Sequence, residues 1–509
     1  MGTGGSNKRI ARNTSLLYIR MLGIMCVQLY TSRIILTSLG VVDFGLYGVV
    51  GGVVIIFSTL VSALGSATSR FFTVELGRND FDQLRKVFST AVALHCAMAL
   101  VVVLVCESGG LWFLNTQMDI PADRMYAAQW LFQFSVATAL FTFIQIPYNA
   151  AIIAHEEMGV YAYVGLLEAF GKLIIAYLIG ISPIDRLIWY GLLLMVLQII
   201  VVCVYCLYCL YRYNESRFKL QRDKTLYKRM LAYSSYDMIG NISVMAQGQG
   251  LNMVLNIFCG PVVNAARAIA YQVQSAATQF SNNFLTAVRP QIIKLYAKND
   301  IEAMMKLVQQ SSIMTYMLML MVILPLSLDI NFVLSLWLGE YPKYTDSFTI
   351  IILVNTLVNA FRNPRTTVNH ATGNIKLPNL VTGTVLCVAL PFGYLLMKLG
   401  FNPNSVFFGM LATTIVADVT NLIILKKYVD YSIIEFLKCV HLKCIFVTSI
   451  VLLIVVPITM SLEPGFFRLI VCTLLSISAI FITSWMIVLD KRQRNRIFKF
   501  VKRKVNGKN

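Results

Sequence analysis

Charge is scarce in this sequence. Asp, Glu, Lys and Arg make up 13% of its 509 residues, against roughly 25% in soluble domains. That scarcity, with 57% hydrophobic residues and a mean hydropathy of +0.70, excludes an ordinary water-soluble fold. Acidic residues are the rarer sign, 24 against 43 basic, for a net charge of +19. Histidine occurs four times, too seldom for a His-rich metal centre. No nucleophile elbow, P-loop or HExxH pattern occurs, so enzymatic chemistry is not expected. Long polar stretches are missing too: the longest gap between apolar runs is only about twenty residues, too short for an inserted soluble domain.

Apolar runs of about 20 residues are what the chain does have, each enough to cross a ~30 Å hydrocarbon core as a helix. Fourteen are predicted: about 13–37, 44–66, 87–107, 124–146, 158–181, 185–211, 233–258, 266–288, 307–328, 344–361, 379–399, 404–425, 442–461 and 466–489. With a cytoplasmic N-terminus and every helix crossing, 34 of the 43 Lys and Arg residues fall on the inner side. That bias supports the topology and places both termini in the cytoplasm. It also accounts for the net charge through anionic inner-leaflet lipids, so no nucleic-acid partner is expected.

The start Met-Gly-Thr-Gly-Gly-Ser fits a myristoylation pattern, but a chain of fourteen spans needs no lipid anchor. The first helix is too long for a removable signal peptide. Cys203, Cys206 and Cys209 lie along one helical flank, and Cys439, His441 and Cys444 lack a fourth ligand. Neither set is expected to bind a metal, and no cofactor is expected.

An internal repeat orders the helices. A shift of 220 residues aligns 40–88 with 260–308, setting Arg78-Asn79-Asp80-Phe81-Asp82 against Lys298-Asn299-Asp300-Ile301-Glu302. A shift of 217 sets Pro147 on Pro364 and Ala154 on Ala371. The expected fold is an all-α integral membrane protein with two pseudo-symmetric six-helix lobes plus two C-terminal helices. Its divisions are 1–222, 223–437 and 438–509, the last carrying a basic tail.

Charges inside the runs mark a polar path, because charge at bilayer depth costs several kcal/mol. They are Arg20, Arg33, Lys172, Asp237 and Asp418. Arg20 faces a lumen or pairs with Asp237 or Asp418. Arg33 is as well explained by snorkelling to head groups. Glu168 and Lys172 form an i, i+4 pair that neutralises itself, binds a phosphate and an ion, or does both in turn. Asp237, Asn241, Asn252 and Asn256 recur on one face, and Gln272, Ser275, Gln279 and Asn282 form a stripe on the next helix. Two amide stripes suit a sugar-lined cavity better than helix packing alone. Arg289 is explained by positive-inside anchoring or by phosphate capture at the cytoplasmic mouth. In this reading the intramembrane cations all fall in the first lobe.

The opening Asn13-Thr14-Ser15-Leu16-Leu17-Tyr18-Ile19-Arg20 leads to Leu29-Tyr30-Thr31-Ser32-Arg33 and Leu39-Gly40-Val41-Val42-Asp43-Phe44-Gly45-Leu46-Tyr47. Val49-Val50-Gly51-Gly52, Ser66-Ala67-Thr68-Ser69-Arg70-Phe71-Phe72 and Glu75-Leu76-Gly77 follow. This stretch resembles bacterial polysaccharide flippases of the Wzx type, within the multidrug/oligosaccharidyl-lipid/polysaccharide exporter superfamily. The local likeness covers about residues 8–90, and the twelve-helix pattern extends it to about 437. The two added helices look more like the layout of lipid II flippases.

The resemblance implies movement of an undecaprenyl-pyrophosphate-linked oligosaccharide across the bacterial inner membrane by alternating access, coupled to H⁺ or Na⁺. A monomer would suffice. Candidate substrate-binding residues are Arg20, Lys172, Asn241, Asn252, Asn256, Gln272, Gln279 and Arg289; candidate ion-coupling residues are Glu168, Asp237 and Asp418. A multidrug or cation antiporter of the same superfamily, and a lipid II flippase, are the alternatives. A membrane scaffold or a polymerase is more distant, since a polymerase would carry a large outer loop.

Overall fold

The computed structural model describes residues 3–40, 43, 46–47, 58–116, 120–219, 223–488 and 494. Among them there is no strand. The predicted span 44–66 lies mostly outside the described residues, as does the basic tail after 490.

Helices cover the remaining apolar runs, and several run further than their hydropathy suggests. Ser58–Arg78 carries Arg70 within the helix rather than in the loop after it, and Thr345–Thr372 carries Arg362 and Arg365. Both Pro147 and Pro364 are accommodated inside helices. Nine helices among the described residues are long and apolar enough to cross a membrane, from Phe81–Thr116 to Phe466–Ile487. Their outward residues are bare hydrocarbon: Leu453 is 75% exposed and Met486 65%. In water such a belt would cost about 25 cal/mol per Å². In lipid that cost is absent, and the chain is a multi-pass membrane protein.

One difference from expectation concerns 233–258 and 266–288. The helical path is unbroken over Lys224–Ala297, with no loop between the two predicted spans. A straight helix would place Gly248 and Arg267 about 28 Å apart, yet Arg267 Nη2 donates to the Gly248 carbonyl at 2.5 Å. The run therefore doubles back on itself between these residues, where the sequence reads Cys259-Gly260-Pro261. The two predicted spans are thus two arms that return against each other, sharing one core through Leu251, Leu255, Ala266 and Ala270.

The chain divides into two compact units. The first holds Met1–Ile242, Thr286–Asp300 and His370–Asn379; the second holds Ser243–Leu285, Ile301–Asn369 and Leu380–Asn509. In the first unit, Phe72, Phe88, Ile152, Val201 and Tyr205 pack into one core, and Leu131, Phe132 and Phe143 anchor another. In the second, Leu251, Leu255, Ala266 and Ala270 from the two arms pack with Phe348 and Phe407.

Backbone geometry repeats as the sequence does. Asn79 and Asn299 both take left-handed conformations, with φ of 57° and 59°. Each closes its helix with the same pair of bonds: Asn79 N–H to Leu76 and Asp80 N–H to Glu75, then Asn299 N–H to Tyr296 and Asp300 N–H to Leu295. At the 217-residue shift, Glu156 (φ 64°) matches Gly373 (φ 77°). Glycine tolerates this conformation freely, whereas a glutamate is held there at a cost of about 1–2 kcal/mol.

Candidate functional site

Arg20 lies half-buried on the helix Thr3–Leu39. Its guanidinium packs 4.3 Å above the Tyr161 ring, in a notch that exists because residue 165 has no side chain. A Cβ on Gly165 would come within 2.8 Å of Arg20 Nη2 and 3.0 Å of Cζ. Arg20 Nε is buried without a hydrogen bond, and no carboxylate pairs with this cation among the described residues. Neither Asp237 nor Asp418 is its partner. Glu168 and Lys172 do form their pair, Nζ to Oε1 at 2.7 Å, with both side chains more than one-third exposed. The side chain of Arg33 lies outside the described residues.

A second constellation in the same unit gathers Arg70, Tyr233, Asp237, Arg289 and His370. The His370 ring is held by the Tyr233 hydroxyl at 2.6 Å and lies 3.8 Å from the buried Asp237 carboxylate. Arg289 is exposed on its arm, with Asp237 close enough to act on its charge. Arg70 Nε donates to the His370 carbonyl at 2.6 Å, and Nη2 to Ala371 at 3.3 Å, so its guanidinium caps the end of Thr345–Thr372. Sequence reasoning placed Asp237 and Arg289 but missed Arg70 and His370, both assigned to loops by the shortened helix ends.

Glu156 forms a further cluster at the matching helix end. Its carboxylate accepts from Lys294 at 2.6 Å and from Gln291, while its carbonyl accepts from Asn13 at 3.1 Å. Next to it, His155 bonds Glu215 at 2.8 Å. Burial raises the Glu215 carboxyl, but the His155 bond outweighs it and leaves the group below its ordinary value.

In the second unit, Asp418 is clasped from two sides. Arg365, fully buried, donates to one carboxylate oxygen, and His441 Nε2 lies 3.1 Å from the other. His441 sits in a π-helical turn, Leu437–Leu442, at the start of the first added helix, stacked 4.3 Å from Phe361. Arg362 Nη2 donates to the Asn359 side-chain oxygen at 2.8 Å. Arg267 is 7% exposed, holds Tyr271 beneath it at 4.3 Å, and has no carboxylate partner among the described residues. Buried cations are therefore found in the second unit too, at Arg267 and Arg365.

The amide residues divide between units. Asn241 lies in the first; Asn252, Gln272 and Gln279 lie in the second, with Asn252 half-buried and both glutamines exposed. The side chain of Asn256 is outside the described residues. Gln247, buried, reaches Thr413 at 3.5 Å. Among the described residues no cluster of three metal-type ligands occurs.

No known family profile matches the chain, and no curated protein matches it in sequence. Solved structures do match. A MATE transporter in its straight conformation shares 13% identity at a TM-score of 0.72, covering 85% of this chain and 97% of that one. An outward-facing multidrug resistance MATE family transporter of the MOP superfamily shares 14% at 0.72, covering 83% and 95%. A MOP superfamily transporter from Pyrococcus furiosus, described as having a binding pocket of reverse polarity that suggests a different function, shares 14% at 0.69, covering 84% and 98%. The fold is therefore that of the MATE transporters, an all-helical membrane architecture of roughly twelve to fourteen spans.

Proposed function

We propose that this chain is an ion-coupled membrane transporter whose cargo is an anionic lipid-linked oligosaccharide, flipped across a bacterial inner membrane by alternating access. One observation carries the cargo assignment: the Arg20 guanidinium is held in a preformed notch and pairs with no carboxylate among the described residues. Desolvating a cation without a counter-ion is costly, and its planar fork is suited to phosphate oxygens. Arg289, with Lys172 close to Glu168, would serve as further phosphate contacts. Asn241, Asn252, Asn256, Gln272 and Gln279 would hydrogen-bond sugars. Glu168 would take up H⁺ or Na⁺, and Asp237 and Asp418 would do so at a stage of the cycle that opens their contacts with His370, Arg365 and His441. The working divisions would be lobes 1–222 and 223–437, followed by the added segment 438–509.

The second reading is a multidrug or cation antiporter, and the structural likenesses favour it, since a multidrug resistance MATE transporter is among them. The Pyrococcus furiosus structure of the same fold has a pocket described as of reverse polarity, so the fold alone does not decide the cargo's sign. What supports an anion here is that two candidate acidic residues already face basic groups: Asp418 pairs with Arg365 and His441, and Asp237 faces His370. The deciding experiment reconstitutes the protein in proteoliposomes and follows a labelled lipid-diphosphate oligosaccharide beside a cationic dye, with and without H⁺ and Na⁺ gradients. Movement of the dye alone would defeat the anionic reading.

A further inference from the structure

A groove in the first unit belongs to neither the cation constellations nor the amide stripes. It has a volume of about 580 Å³ and runs between the first turns of Met125–Ala154 and Arg186–Arg212. Both helices begin at this end, and Gly191 lets them approach: a Cβ there would fall 2.9 Å from Leu131 Cδ1 and 3.2 Å from Phe134 Cδ2.

Two stripes of matching period form its walls. Tyr126, Trp130 and Phe134 recur every fourth residue on one helix, and their rings touch in sequence at 6.4 Å and 5.6 Å between centroids. Ile184, Ile188 and Leu192 repeat the spacing opposite them. The aromatic stripe extends eight residues, about 12 Å of helix, while Ile184 precedes the helix that carries Ile188 and Leu192. Tyr126 and Trp130 remain 66% and 42% exposed, so the aromatic wall lacks a protein cover.

The mouth is charged, and its charges are not equivalent. Arg124 is spoken for: Nε donates to Asp43 at 2.8 Å and Nη1 to Asp185 at 2.7 Å. Asp185 additionally caps its own helix through the amides of Leu187 and Ile188. Neighbouring Arg186 is turned to the Ser38 carbonyl at 3.0 Å. Asp123, exposed at the rim, has no partner among the described residues. The charge left available is thus a carboxylate, lining the same groove as the aromatic and apolar stripes.

We propose that this groove binds a bilayer aminophospholipid, one acyl chain lying between the two stripes and its primary ammonium at Asp123 beside Tyr126. An ammonium gains both from the unpaired carboxylate and from the aromatic face. A purely anionic head group gains neither, because Arg124 is already neutralised by two carboxylates. The bilayer is the source the observations favour, since Tyr126 and Trp130 are exposed on a helix long and apolar enough to cross a membrane. This inference does not depend on the identity of the transported cargo.

The test uses the full-length protein in detergent, exposed to equimolar phosphatidylethanolamine, phosphatidylglycerol and phosphatidylcholine, with retained lipid read by native mass spectrometry. Wild type is expected to retain phosphatidylethanolamine over phosphatidylglycerol. Asp123→Asn, a rim change touching no structural partner among the described residues, should reduce that preference by up to about fivefold, the upper end for an exposed ion pair. Trp130→Ala should lower retention of all three lipids while leaving the preference. Equal retention of the three by wild type, or an unchanged preference in Asp123→Asn, overturns the proposal. Displacement of the lipid by a cationic single-chain amphiphile at lower concentration would also overturn it, assigning the groove to a solute instead.

Discussion

Gly165→Ala is the substitution that most sharply tests the role of Arg20. The added methyl would lie 2.8 Å from Nη2 and 3.0 Å from Cζ, with the Tyr161 ring under the same guanidinium. Arginine is flexible, so the side chain moves and the helix stays, at a cost below the about 1–3 kcal/mol usual for overpacking. What is lost is the prepared position. Hydrogen bonds to a charged group contribute about 1.5–3 kcal/mol, and each 1.4 kcal/mol is about tenfold in affinity. Affinity for undecaprenyl diphosphate should therefore fall about ten- to a hundredfold. Arg20→Ala should fall equally, and the double variant no further, because the methyl then has nothing to displace. Equilibrium binding to purified protein, with thermal unfolding as the folding control, reads all four corners of this cycle. Wild-type affinity in Gly165→Ala, or additive losses in the double variant, would refute the argument.

Three further outcomes follow from other sites. Asp418→Ala strands the fully buried Arg365, so stability should fall by about 3–5 kcal/mol, read as a drop in Tm; an Arg365→Met/Asp418→Leu pair should recover much of it. Glu156→Ala and Glu156→Gly both lose the Lys294 and Gln291 contacts, but only alanine keeps a strained left-handed backbone, so Glu156→Gly should be the more stable of the two by about 1 kcal/mol, read as a higher Tm. At Asp185, burial raises the carboxyl but the Arg124 bond and two helix amides outweigh it, leaving it below the ordinary ~3.9. A depressed folded value gives stability that is present above about pH 4 and lost as pH falls below it, so Tm should drop there in wild type and less in Asp185→Asn.

Hydropathy made the spans legible because lipid-facing residues must be apolar whatever the fold. It misplaced helix ends, because a helix continues past its apolar stretch when its polar face is covered by protein. Arg70, Arg362 and Arg365 fall beyond the predicted spans 44–66 and 344–361 for that reason, although each sits in a helix. The repeat carried more information than its weak identities suggested: Asn79 and Asn299 build the same helix end, and Glu156 stands where the other copy has Gly373. A charged residue at a position whose repeat mate is glycine was a signal for the Glu156 cluster. Partners were not legible. Nothing in the sequence near Asp418 points to His441, which comes from an added helix, or ties Arg267 to Gly248 across a bend that sequence reads as a loop.

The central claim is that the cargo is an anion, and flipping in proteoliposomes tests it most directly. Wild-type protein should move a lipid-diphosphate oligosaccharide faster than the same lipid with a neutral head group, and should leave a cationic dye in place. Equal rates for charged and neutral lipids, or transport of the dye without the lipid, would contradict it.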